Sequence, residues 1–186
     1  MERFPPIPDA ALNDAQRAVA AAIASGKRGG VRGPFIALLH NPALTQHVQA
    51  LGEHLRFHTR FAPSVLEIAI LITARHWNCA YEWYAHEKIA RAAGLAPAVI
   101  AALVAGATPD GLDLESALVH DFACQTLQSG APSDAIYAQA ERHFGKDGVL
   151  DLLALVGYYS LLAFVLNTAR PAVPADGGIP LPPRAR

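Results

Sequence analysis

The stretch Glu67-Ile-Ala-Ile-Leu-Ile-Thr-Ala-Arg-His-Trp-Asn-Cys-Ala-Tyr-Glu-Trp-Tyr-Ala-His86 decides the fold. Ile68, Ile70, Leu71 and Ile72 make its first half apolar nearly all round, which predicts a central core helix opened by Pro63-Ser64 and ending near His76-Trp77. Asn78 reads as the N-cap of a second helix, which Gly94 stops. On that second helix Cys79, Glu82 and His86 stand at i, i+3 and i+7 and share one face within roughly 60° of arc. One face thus presents a thiol, a carboxylate and an imidazole. With Asn78 as cap, Cys79 falls in the first turn, where unpaired N–H groups and the helix dipole favour a thiolate.

Glu67 lies on the other helix, and two readings of it stay open. Ser64-x-x-Glu67 has the form of a capping box, in which Glu67 closes back on the backbone at the helix start. Alternatively, the turn between the helices brings this carboxylate to the face that carries Cys79, Glu82 and His86.

Working outward, Asn13-Asp14 caps a helix that stops at Ser25-Gly26. The basic, glycine-rich run Gly26 to Pro34 lacks the Gly-Lys-Ser/Thr ending of a phosphate loop. It reads as a mobile loop, the alternative being that Arg28 or Arg32 meets an anionic substrate. Phe35 to His40 is a short helix, and Asn41-Pro42 opens another that runs to about His58. His47, His54 and His58 share a helical spacing that reads as a solvated or interface face and not as a metal site.

Pro97 starts a helix to about Gly106, and Leu114 to Leu127 forms another, with Cys124 expected as a buried small apolar residue. Ser133-Asp134 caps a helix that breaks at Phe144-Gly145. Val149 to Ala169 is then apolar for long enough to cross a bilayer, but Asp151, Tyr158, Tyr159, Ser160 and Asn167 interrupt it without a basic flank. A buried core or interface helix is expected there. No strand-period run appears, so the expected class is all-α in one domain over residues 1–186, with 1–12 and 170–186 as extended arms.

Composition narrows the function. A net charge of -1 and 17% charged residues give no basic footprint for nucleic acid or an anionic membrane, and a small-molecule substrate fits better. Two cysteines, 45 positions apart, match no zinc spacing and no disulfide framework, and no signal peptide opens the chain. The expectations are a cytoplasmic protein without metal or cofactor. Its hydrophobic fraction of 52%, concentrated in Leu152 to Leu166, points to helix faces buried against other subunits.

The pattern Glu67, eleven residues, Cys79-x-x-Glu82-x-x-x-His86 resembles the core of the carboxymuconolactone decarboxylase family, within the alkylhydroperoxidase D-like superfamily. The resemblance is firmest over residues 64–95 and continues loosely through Arg32-Gly33-Pro34-Phe35, His40-Asn41-Pro42 and Gly157-Tyr158-Tyr159 to Asn167. The redox branch carries Cys-x-x-Cys-x-x-x-His at this spacing; here Glu82 replaces its second cysteine, and Tyr81-Glu82-Trp83 with His86 is similar to the non-redox branch. The resemblance implies a compact multi-helix domain that assembles as a trimer or hexamer.

Three functions follow as expectations. The first is a cofactor-independent acid/base enzyme, a decarboxylase or related lyase, acting on a small carboxylated lactone or other enol-forming substrate. His86 would transfer the proton, Glu67 or Glu82 would orient it, and Arg75 would anchor the substrate anion. The second is a thiol-dependent peroxidase or oxidoreductase with peroxiredoxin-like activity that uses Cys79, with Cys124 or an external thiol as resolver. The third is a non-enzymatic helical oligomer on the same scaffold.

Overall fold

The computed structural model describes residues 1–175 and 179–182. They form a short 3-10 turn at Asp9–Ala11 and the helices α1 (Asp14–Ser25), α2 (Pro34–Leu38), α3 (Pro42–Phe57), α4 (Pro63–His76), α5 (Ala80–Ala92), α6 (Pro97–Ala105), α7 (Leu114–Ser129) and α8 (Asp134–Ala169). No strand forms among the described residues, and the class is all-α.

The helix starts follow local chemistry. Asn13 accepts from Gln16 N–H while the Gln16 side chain accepts from Asn13 N–H, a complete capping box for α1. Asn41, Asp113 and Ser133 cap α3, α7 and α8 through their side-chain oxygens. The bond from Ser116 N–H to Asp113 also holds that carboxyl below its ordinary range.

Every residue of α4 from Val65 to Ala74 is buried. The reason is its position: α5, α6, α7 and α8 all pack on it, so an amphipathic stripe would leave one of these helices against polar side chains. α8 bends at Gly145, whose φ of 75° and ψ of 174° lie outside helical space. Glycine adopts that backbone without a Cβ penalty, so the apolar second half of α8 can lie along α4 and α7. α8 is long and apolar enough to cross a membrane by length and composition, and half of its most apolar window is buried inside the protein. Leu152, Leu155, Val156, Leu162 and Leu166 are buried within the chain, whereas Leu161 and Phe164 stay exposed. The apolar surface that this helix leaves exposed is therefore smaller than the sequence suggests.

Both arms lie on their own chain where they are described. Arg3 N–H donates to Ala169 O at 2.8 Å, and the Phe4 and His40 rings meet edge-on at 5.5 Å. Trp83 Nε1 donates to Ile179 O at 2.8 Å, which fixes the C-terminal arm against α5. Residues 176–178 and 183–186 of that arm lie outside the described residues.

Candidate active site

The turn between α4 and α5 sets the site. Asn78 is not the N-cap of α5: it takes a left-handed conformation with φ of 50°, and Cys79 occupies the cap position. Asparagine suits both roles because its short amide tolerates left-handed backbone as well as capping helices. Cys79 N–H donates to Ala74 O at 2.8 Å, which closes the turn. From α8, Ser160 Oγ accepts from Trp77 Nε1 and the Asn167 amide donates to Trp77 O, locking the turn in place.

This geometry reverses the expectation for Cys79. The thiol is packed with Ala163 and Leu166 at 1% exposure, and burial, then the nearby Glu82 carboxyl, push it up to about 12. N–H groups of α5 act in the opposite direction and lose. Cys124, expected to be buried, is only partly so.

Glu67 is not a capping residue. Pro63 takes the first helical position and Ala62 the cap, so Ser64 lies two positions past the cap and the box does not close. The Glu67 carboxylate instead reaches α5, where Oε2 lies 2.7 Å from His86 Nδ1. Its other oxygen, Oε1, lies 3.5 Å from Arg56 Nη2 of α3. An ionised Glu67 takes a proton-bearing Nδ1, which leaves Nε2 as the imidazole nitrogen available for exchange. The Tyr159 ring of α8 meets His86 edge-on at 4.9 Å and restricts its rotation.

Glu82 does not pair with His86, although the two are four residues apart on α5. It is 2% exposed, and neither carboxyl oxygen has a hydrogen-bond partner among the described residues. Burial and then the charge of Glu67 push it well above the ordinary carboxylate value. The two carboxyl groups thus have different surroundings: Glu67 is paired with the imidazole, whereas burial favours the protonated form of Glu82.

Glu82, His86 and Tyr159 line a cavity of about 470 Å³. Lys27, Arg28, Arg32 and Arg56 line it as well, together with Tyr81, so its wall carries four cationic side chains. Arg28 lies over the Phe35 ring at 4.7 Å and donates to the Tyr158 hydroxyl at 3.3 Å. The glycine-rich loop thus lines the cavity. Arg75 is not in this cavity. Its Nε donates to Val104 O, and it lines a separate one.

Arg56, near the end of the preceding helix α3, and Tyr159, from α8, complete the site; neither is among the site residues expected from the sequence. His54 is taken up elsewhere, at 2.9 Å from Asp151.

No protein-family description and no curated protein matches the chain. Solved structures do. An uncharacterized peroxidase-related protein from Ralstonia eutropha JMP134, described as an alkylhydroperoxidase AhpD core, superposes with a TM-score of 0.77 at 22% identity over 94% of this chain and 93% of that one. The fold is that of the alkylhydroperoxidase AhpD core. An uncharacterized peroxidase-related protein from Silicibacter sp. TM1040 gives a TM-score of 0.74 at 18% identity, covering 94% of this chain and 91% of that one. Within this AhpD-core fold, the Glu67–His86 contact joins α4 to α5 and the cationic wall is supplied by α3 and the loop before α2.

Proposed function

We propose that the protein is a cofactor-independent acid/base enzyme that takes a small carboxylated lactone or related enol-forming acid, as carboxymuconolactone decarboxylases do. The observation that carries this reading is Glu82: a buried carboxyl group with no hydrogen-bond partner among the described residues, its proton affinity raised by burial, on a cavity that Lys27, Arg28, Arg32 and Arg56 also line. Carrying its proton, Glu82 can donate to a developing enolate oxygen. His86 Nε2 exchanges the proton at the carbon next to the carbonyl, while Glu67 holds the ring and balances the imidazolium charge. Arg28, Arg32 and Arg56 hold the substrate carboxylate, with charge-assisted hydrogen bonds strengthened by the partial exclusion of water. The reading includes a homo-oligomer acting in the cytoplasm on a dissolved substrate.

The test is proton exchange. In deuterated water the protein should incorporate deuterium next to the carbonyl of carboxylated lactones, or release carbon dioxide from them, and the methyl esters of the same acids should be poor substrates. Exchange no faster than in buffer across the acids, or equal exchange of acids and esters, would contradict the proposal.

A thiol-dependent peroxidase is the second reading, favoured by the peroxidase-related description of the two solved relatives. It requires Cys79 as a thiolate. The burial of that sulfur and its separation from the cavity lining weigh against it.

A further inference from the structure

A second cavity, of about 360 Å³, opens between the C-terminal end of α4 and α7. On its wall Cys124 Sγ lies 3.8 Å from His120 Nε2, and His120 Nδ1 lies 2.9 Å from Asp121 Oδ1. Thiol, imidazole and carboxylate stand in line, the order in which a base is held by its orienting group and faces a nucleophile. His120 is itself buried, at 6% exposure, so its ring is held by packing as well as by Asp121. Arg75 and Gln128 line the same cavity. None of these residues takes part in the site built on Glu67, Glu82 and His86.

We propose that Cys124, His120 and Asp121 form a separate thiol site that undergoes exchange with small anionic disulfides. In the step, the Cys124 S–H proton passes to His120 Nε2 and the sulfur attacks one sulfur of the disulfide. The Cys124 S–S bond forms as the disulfide's own S–S bond breaks, and the departing thiolate takes a proton from the imidazolium. The disulfide is the oxidant, and one equivalent of free thiol leaves. The Arg75 guanidinium, anchored through its Nε on Val104 O, supplies the preference for a carboxylate-bearing partner against the opposing charge of Asp121, which lines the same cavity and is paired with His120.

The base is needed because the thiol is not pre-ionised. Burial and then the Asp121 charge push Cys124 up to about 11, so without help little thiolate forms at pH 7. A base-assisted thiol loses this dependence: its rate levels off well below the titration of the thiol itself. Cys79 is packed with Ala163 and Leu166 and lines neither of the two cavities.

The probes are oxidised glutathione, which is anionic, and cystamine, which is cationic, reacted with the whole protein and followed by peptide mass mapping. Rates are normalised to those of a short neutral cysteine peptide. Cys124 should form the mixed disulfide at least about tenfold faster than Cys79, with a normalised preference of about fivefold or more for oxidised glutathione. Arg75→Gln should remove that preference, and His120→Gln should slow Cys124 by about tenfold or more. If a variant does not fold, the wild-type pH profile decides alone: a rate that levels off by about pH 9 supports the site, and a tenfold gain per pH unit up to about pH 10 overturns it. Faster modification of Cys79, equal normalised rates for the two disulfides, or an unchanged rate in folded His120→Gln would also overturn it.

Discussion

The carboxylate of Glu67 meets the imidazole of His86 at 2.7 Å across two helices, although 19 positions separate them in the chain. The pair ties the core helix α4 to the helix that carries Glu82, and sets which imidazole nitrogen is left for chemistry. Glu67→Gln keeps the shape and removes the charge. Turnover is expected to fall about tenfold or more, with KM little changed, because the charge acts on the imidazolium that forms during proton transfer. A KM rise with kcat unchanged would instead assign Glu67 to substrate binding.

Glu82 makes stability depend on pH in a direction opposite to that of a salt-bridged carboxylate. Its folded-state value is raised from 4.5, so the folded protein binds the proton more tightly than the unfolded chain does. The stability it contributes is fully present below about pH 4.5 and is lost as pH rises toward and through the raised value. Glu82→Gln should flatten this part of the stability profile and leave the protein more stable than wild type at pH 8, while reducing turnover. Urea melts at pH 5 and pH 8 measure it; parallel profiles for the two proteins would show Glu82 to be ionised in the fold.

Gly52 of α3 leaves room for the Arg28 guanidinium and the Tyr158 hydroxyl, both of which a Cβ at this position would overlap. Gly52→Ala should therefore displace Arg28 from the cavity wall. The expected result is a KM rise for a carboxylated substrate and a stability loss of about 1–3 kcal/mol, the usual range for overpacking. Unchanged KM with lost stability would remove Arg28 from substrate binding.

Leu44, Leu161 and Phe164 remain exposed on α3 and α8 and are expected to be covered in a homo-oligomer. Light scattering at micromolar concentration should give a trimer or hexamer, and Phe164→Glu should weaken it. A wild-type monomer would refute this assembly.

Much of the helical frame was legible because its punctuation is local. Asn13, Asn41-Pro42, Ser133-Asp134 and Gly94 stop or start helices with groups one to three residues away, and Gly145 marks the bend in α8 by its own backbone. The site was legible as a set of residues but not as a set of contacts. Ser64-x-x-Glu67 looks the same whether or not the box closes, and only the position of Pro63 relative to the cap decides it. Glu82 and His86 have the spacing of an ion pair, but the choice of Glu67 as partner depends on how α4 and α5 cross. The same holds for Asn78, where a residue suited to capping sits in left-handed backbone and hands the cap to Cys79. The cationic wall brings Arg56 and Arg28 together through tertiary packing, for which one sequence carries no periodic signal.

The central claim is that proton transfer by His86, and not thiol chemistry at Cys79, is the activity of this site. The most direct measurement compares wild type, Cys79→Ser and His86→Ala in two assays: deuterium exchange or decarboxylation of carboxylated lactones, and thiol-dependent consumption of peroxide. The account predicts that Cys79→Ser keeps lactone turnover within about threefold and that His86→Ala loses on the order of 10²–10⁴-fold. Robust peroxide consumption by the wild type that vanishes in Cys79→Ser would contradict it.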